Sequence, residues 1–323
     1  MFSYGVLLMN RGLQNANKGF TLLELMIALT LGLIVSAIAI QLTLTAQKGV
    51  SSQQAMSNLQ NDALFGLEAV VRDIRLANLN ASDVVINDSV LHGGIVLDAK
   101  NYTSKRTGAG LGDVELVDAL SLGNIENTSN LSGVKSDQLV IQYKNMMEDQ
   151  FDCEGTKIPI NTFVVQKYFI RKDTAKNEAN EPFSLACKAF TYTGDEPAKI
   201  DLSGNGEVII PRVDYFGVML GVAKDKCVDT ETADALMSCF GYISINDYMA
   251  LTTKPQIVML KVGMLVRSTN STGSNDLFNE DKLYEILNVN SKLKPNTKND
   301  QYMRSIVTQT IALRNGFGIE KQE

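Results

Sequence analysis

The sequence predicts an α+β fold: a long N-terminal transmembrane/amphipathic helix packed on an antiparallel β-sheet domain with long loops. Three observations predict it. Leu25–Gln47 is a stretch of 23 residues without a charge. An apolar stripe at helical spacing follows, and beyond Asp83 the pattern turns to short β-rich runs separated by polar segments. With 45% hydrophobic and 20% charged residues, the 323-residue chain has the composition of a folded protein. Its formal charge, 30 − 36 = −6, leaves no basic excess to neutralise phosphates, which argues against nucleic acid as a direct partner.

Residues 1–19 contain Arg11 and Lys18 and no acid. Met9 offers a second start after the apolar opening Met1–Leu8. At 1.5 Å per residue the uncharged run reaches about 35 Å, enough to cross a hydrocarbon core of about 30 Å. Basic residues before the span and an acidic chain after it place the N-terminus in the cytoplasm and the bulk outside. Met56, Leu59, Ala63, Leu67, Val70, Ile74 and Ala77 then recur at steps of three and four, opposite Gln53, Asn58, Asp62 and Arg72. No proline precedes Pro159, so the helix is expected to run from Phe20 to about Ala77, about 87 Å if unbroken. Asn78–Asp83 reads as its end. Gly32, Gly49 and Gly66 mark either local loosening, at about 1 kcal/mol each against Ala, or close packing against neighbouring helices.

The segment Asn17-Lys18-Gly19-Phe20-Thr21-Leu22-Leu23-Glu24 resembles the class III signal of type IV prepilins and pseudopilins, with Gly at −1, Phe at +1 and Glu at +5. The resemblance implies cleavage between Gly19 and Phe20 by a prepilin peptidase on the cytoplasmic face, followed by N-methylation of Phe20. Cleavage would leave a side-chain balance of 28 − 36 = −8. A carboxylate just inside an apolar span costs several kcal/mol and needs a partner. The plain reading of Glu24 is a side chain that snorkels to lipid headgroups. The pilin resemblance implies instead that Glu24 neutralises a Phe20 amine during assembly. Many major pilins carry a proline at the position of Gln41, a departure that suits a minor component. The expected organisation is a leader over 1–19, a transmembrane half-helix over 20–47, an amphipathic half-helix over 48–79 and a β-rich periplasmic or extracellular domain over 80–323.

Within that domain, Val84–Ile86, Leu139–Tyr143, Phe163–Ile170, Leu185–Phe190, Glu207–Ile210, Val213–Leu220 and Ile257–Val266 read as strands. Ile245–Met249 reads as a short helix, and 268–276 and 288–300 as loops. Val71-Arg72-Asp73-Ile74-Arg75-Leu76-Ala77 is similar to the R-D-I-R-x-A stretch of PilW-type minor pilins, and the similarity continues through 210–218, 262–268 and 302–315. J-type pseudopilins of type II secretion share the layout. For Arg72, Asp73 and Arg75 the expected environment is a solvated helix face, with Glu68 and Arg72 paired at i,i+4.

All four cysteines, Cys153, Cys187, Cys227 and Cys239, follow the helix. An even number in an exported domain favours disulfides, and Cys153–Cys187 with Cys227–Cys239 closes the shorter loops. Metal binding is the alternative, but there is no C-x-x-C and His92 is the one histidine. His92 reads as a turn residue without a matched nucleophile. Asp201–Gly206 opens like a calcium loop, yet position twelve is Arg212. Gly108–Gly112 has no following Lys for a phosphate loop. No enzyme activity, cofactor or metal is expected.

The PilW resemblance implies a minor pilin of a tip or priming complex that initiates pilus assembly, serving twitching, adhesion or DNA uptake. Its implied partners are other minor pilins, the major pilin, the prepilin peptidase, the inner-membrane assembly platform and the lipid bilayer. The implied location is the inner membrane, single-pass, then the pilus. The alternatives are a J-like pseudopilin and an unprocessed bitopic envelope protein.

Overall fold

Thr21 opens the first helix: its Oγ1 accepts the Glu24 backbone N–H at 3.2 Å, and its carbonyl accepts that of Leu25 at 3.1 Å, the arrangement of an N-cap. Helix α1 runs Leu22–Ile74. In the computed structural model the described residues are 19–103, 116–173, 181–194, 197, 200–223, 240–269, 271, 281–295 and 302–316. The chain divides into two units, Met1–Ser51 and Ser52–Glu323.

In the first unit every described residue is exposed. Its hydroxyls nevertheless find partners within the helix. Thr30 donates to the Ile27 carbonyl, Ser36 to Gly32, Thr43 to Ala39 and Thr45 to Gln41, all at 2.8–2.9 Å. These four hydroxyls are thus satisfied without water, as a helix in an apolar medium requires.

In the second unit, Leu59, Ala63, Leu67, Val70, Ile74 and Ala77 of the predicted stripe are buried, joined by Ala55, while Met56 is only partly covered. Regular helix ends at Ile74, three residues before the expected Ala77, and turns carry the chain through Asn80. Asn78 and Asn80 adopt φ of 64° and 54°, left-handed geometry that asparagine tolerates. Asn78 ties the exit down: its amide donates to the Asp83 and Asn315 carbonyls at 2.9 and 3.1 Å, and its Oδ1 accepts the Gly94 N–H. Asn315 in turn donates to the Arg75 and Ala77 carbonyls, occupying acceptors that a helix C-terminus leaves open.

The expected antiparallel β-sheet domain is built around two larger sheets. The first orders β1 (Leu122–Ile125), β2 (Ser136–Asn145), β5 (Thr162–Lys172), β6 (Phe183–Tyr192) and β7 (Glu207–Ile210) as β1-β2-β5-β6-β7. The second contains β8 (Val213–Ala223), β9 (Phe240–Ser244), β10 (Gln256–Arg267) and β13 (Arg304–Ala312), ordered β13-β10-β8-β9. Two small hairpins are made by β3 (Gln150–Phe151) with β4 (Lys157–Ile158) and β11 (Tyr284–Ile286) with β12 (Val289–Ser291). Helix α2 spans Ile245–Ala250, capped by Ser244.

One hydrophobic cluster joins Leu59, Leu67, Val70 and Ile74 of α1 to Ile141 and Leu185 of the first sheet and to Phe216 and Leu260 of the second. A second cluster, with Val96, Tyr102, Val140 and Phe163, covers part of the first sheet under the 95–103 segment. Strands β2, β5, β8 and β10 are therefore buried along most of their length.

Three further expectations are corrected. Val84–Ile86 is not a strand: Asp83 Oδ1 captures the Val85 N–H at 2.9 Å, a local turn that competes with sheet pairing. The 288–300 loop contains β12, and Leu131 bridges to Leu293 beyond it. Asp73 is buried, because its carboxylate accepts the Tyr168 hydroxyl of β5 at 2.7 Å. Burial pushes its pKa up, against the opposing Tyr168 hydrogen bond and Arg72 charge. Arg72 reaches Asp73, Nε to Oδ1 3.5 Å, and no Glu68–Arg72 pair forms among the described residues.

Candidate assembly surface

The residues singled out at the N-terminus form no catalytic constellation. Phe20 is 84% exposed, and Leu22, Leu23, Leu25 and Met26 follow with similar exposure. Glu24 sits at the third position of α1, where the positive end of the helix dipole favours a carboxylate. The sequence reading missed that Thr21-x-x-Glu24 has the spacing of a capping box; the Thr21 half of it is formed. A side chain built at Gly19 or Gly32 would meet nothing within 4 Å, so folded packing demands neither glycine. Gly66 differs: a Cβ there would collide with the Ile210 side chain of β7. It is a contact of helix with sheet, not with another helix.

Asp214, Arg267 and Arg304 come together inside the second sheet, and this cluster too was missed. Arg267 Nε donates to Asp214 Oδ1 at 3.1 Å and Arg304 Nε to Oδ2 at 2.7 Å. The Asp214 and Arg267 side chains are wholly buried. Asn130 donates to Asp214 Oδ1 at 2.7 Å, and the Arg267 guanidinium lies 4.4 Å from the Tyr302 ring centre. The available signal was Asp214 and Arg267 at the ends of apolar runs in β8 and β10, with Arg304 opening β13. Removing one member of such a network leaves an uncompensated buried charge.

Cys153 and Cys187 are disulfide-bonded, with Cα atoms 6.1 Å apart; Cys227 and Cys239 lie outside the described residues. The bond anchors the β3–β4 hairpin to β6. Beside it the Glu154 carboxylate accepts from Lys188 Nζ at 3.0 Å and the Ala189 N–H at 2.8 Å. Asp152 closes the turn by accepting the N–H groups of Glu154 and Thr156.

His92, with φ of 60°, is buried and stacked on Phe163 at 4.0 Å, a turn residue packed on the second cluster. Asp201 accepts the Ser203 N–H, making a local turn. Gly108–Gly112 lies outside the described residues. No group of His, Cys, Asp and Glu suited to a metal occurs among the described residues.

Comparison with known proteins gives two family matches. The Prokaryotic N-terminal methylation motif matches residues 14–40, and the Type IV Pilus-assembly protein W family matches residues 167–315. Among solved structures, the type IV-like pilin TTHA1219 from Thermus thermophilus is similar at 12% identity and a TM-score of 0.39, over 80% of this chain and 96% of that one. No curated protein sequence matches. The 167–315 match holds Asp214, Arg267, Arg304 and Asn315, which tie strand to strand and sheet to helix end. Motif and domain, in that order along one chain, make this chain similar to the N-terminal methylation motif at its start and to type IV pilus-assembly protein W over residues 167–315.

Proposed function

We propose that this chain is a minor pilin of the type IV pilus, clipped after Gly19, N-methylated on Phe20 and incorporated near the pilus tip as part of the complex that primes assembly. The observation that carries the reading is the fully exposed, internally hydrogen-bonded apolar half-helix directly behind the Gly19-Phe20 junction. Such a surface is stable in lipid and equally stable among like helices, so a subunit can pass from bilayer to fibre without re-pairing its backbone. Before assembly the chain would cross the inner membrane once, with the β-rich domain in the periplasm. Its partners would be other minor pilins, the major pilin, the prepilin peptidase and the assembly platform.

Glu24 is the sole charged side chain between Phe20 and Gln47, and in this reading it neutralises a Phe20 amine within or between subunits. The mechanism is association and not catalysis.

Intact-mass analysis of the membrane-extracted protein tests the processing step: a mature start at methyl-Phe20 supports it, and retention of Met1 or Met9 rejects it. Deletion of the gene should sharply reduce the number of surface fibres, and normal fibre numbers would reject the priming role. A Glu24→Ala variant should be cleaved but enter fibres poorly.

A further inference from the structure

An edge strand leaves backbone donors and acceptors open to another chain, and folded proteins blunt such edges with charges, prolines, register breaks or a covering element. Among the described residues, three of the four edges of the two larger sheets are managed in this way. β1 and β7 have four residues each and a break in register, and β7 runs into Pro211. β13 has α1 beside it, with Gln309 lining a groove along Leu64, Arg72 and Arg75. β9 differs. Phe240-Gly241-Tyr242-Ile243-Ser244 carries no charge and no proline, and it pairs with β8 in unbroken register from end to end. Its first three residues are exposed, and its other side pairs with no strand among the described residues.

Phe240 and Tyr242 stand two residues apart, so both rings lie on one face of β9, 50% and 43% exposed. Beside them is an open pocket of about 210 Å³, lined also by Gly221, Val222, Gly241 and Met259, with room for an apolar side chain. A Cβ on Gly221 would collide with the Met259 side chain, so the glycine lets Met259 lie across β8 and form a soft, adaptable wall. Two residues beyond Met259, on the same face of β10, Lys261 places its Nζ 5.5 Å from the centre of the Tyr242 ring. No carboxylate pairs with this ammonium among the described residues. The rows are fixed by register: Met259 stands level with Gly221 and Tyr242, and Lys261 with Met219 and Ser244. The edge thus combines unpaired backbone, an apolar hole and, one step of two residues along the strand, a cation lacking its counter-charge.

We infer that β9 takes up an extended segment of a different protein as an added strand, with an apolar side chain of that segment in the Phe240–Tyr242 pocket and a carboxylate, two residues along, on Lys261. Main-chain pairing supplies affinity in such an arrangement, and the alternate side chains supply specificity. The apolar residue stands opposite Tyr242 and the acidic one opposite Ser244, so both project to the face that carries the pocket and the ammonium. A symmetric β9–β9 pairing of two copies would bring one Lys261 toward the other and leave both without a counter-charge, which favours an acidic partner over a second copy of this chain. The inference rests on the second unit alone and is independent of leader cleavage.

The test measures fluorescence anisotropy of a labelled peptide, Thr-Thr-Glu-Thr-Leu-Thr-Thr, with the full-length protein in detergent. The expected result is saturable binding. Exchanging the peptide's Glu for Lys should weaken it about tenfold, as should Lys261→Glu in the protein, and the two exchanges together should restore it. Restoration separates loss of the charge pair from loss of fold. A peptide N-methylated at alternate amides, on the side that faces β9, should not bind, because the main-chain donors are gone. Tyr242→Ala should weaken binding of the parent peptide and leave the Cys153–Cys187 bond unchanged. No saturable binding, equal binding of the N-methylated peptide, or no effect of the Lys261 reversal would each overturn the inference. So would a photo-crosslinking benzoylphenylalanine at Tyr242 that joins two copies of this chain in the native membrane, the outcome of self-pairing. Normal peptide binding by a chain that is never cleaved would leave the inference standing while rejecting the proposed processing.

Discussion

Replacing Asp214 by Asn tests how the buried charges hold the second sheet together. The carboxylate takes three hydrogen bonds, from Arg267, Arg304 and Asn130, at a point where its own side chain and that of Arg267 are wholly buried. Asn keeps the shape and removes the negative charge that two guanidinium groups share. Arginine cannot escape by losing its proton, so the cost falls on folding. Removing one partner from a buried ion pair typically costs about 3–5 kcal/mol. Stacking of Arg267 on Tyr302 persists, so the lower half of that range, about 3 kcal/mol, is expected. Arg304→Met removes one of the two cations and leaves a one-to-one pair, so it should cost less, about 2 kcal/mol. The chain has no tryptophan, so urea unfolding of the full-length protein in detergent is best followed by near-ultraviolet circular dichroism of its tyrosines. A midpoint for Asp214→Asn within the error of the parent, or a larger loss for Arg304→Met, would refute the assignment of Asp214 as the shared counter-charge.

Other outcomes follow from single contacts. Gly66→Ala should lose about 1–2 kcal/mol in the same unfolding assay, because the clash with Ile210 outweighs the helix propensity gained; Gly32→Ala, with nothing near it, should leave the transition where it was. Opening the Cys153–Cys187 bond with a Cys153→Ser, Cys187→Ser double variant should cost about 4 kcal/mol for a separation of 34 residues, read as a drop in denaturation midpoint. Asp137 has its pKa raised to about 6 by burial, against the hydrogen bonds it accepts from the Val218 and Asn124 N–H groups. The folded state therefore holds a proton that the unfolded chain releases near pH 4. Its contribution to stability is present below that pH and lost as pH rises toward 6, by at most about 3 kcal/mol. Asp137→Asn should flatten that segment of the stability–pH curve, and an unaltered slope would contradict it.

What was legible in the sequence is what long-range burial dictates. Leu139–Tyr143 and Ile257–Val266 read as strands because both faces of β2 and β10 are covered, which demands near-continuous apolar residues. The stripe from Leu59 to Ile74 was equally plain. Val84–Ile86 carried the same β-branched signal and failed, because one aspartate oxygen diverted its backbone. Strands β3 and β4 have two residues each and exist through the Asp152 turn and a disulfide, neither of which leaves a periodic trace. Asp73 was within reach: it stands three residues after Val70 and four before Ala77, the spacing of the buried stripe. Reading Arg72, Asp73 and Arg75 together as a charged run hid that phase. Of the functional surface, the Gly19–Glu24 signal was visible as a motif, whereas the β9 edge and its pocket depend on which strand lies at a sheet edge.

The two halves of α1 solve opposite problems with one helix. Beyond Ser52 its apolar residues are matched to particular neighbours, to the point that Gly66 must have no side chain. Before Ser52 its apolar residues have no neighbours among the described residues, and its hydroxyls are bonded back to their own turns. The apolar part of such a surface does not distinguish lipid tails from the side chains of other helices. Apolar area alone then gives almost no preference between bilayer and bundle, since neither exposes it to water. On the pilin reading the direction of transfer must come from somewhere else, and Glu24 is the one charged group between Phe20 and Gln47, one that a fibre can satisfy and a lipid tail cannot. A Glu24→Gln variant keeps the size and the cap position but removes the charge. It should still insert in the membrane and still be cleaved, with its fraction in sheared fibres falling severalfold; equal recovery of the variant and the parent in those fibres would show that the carboxylate does not set the direction.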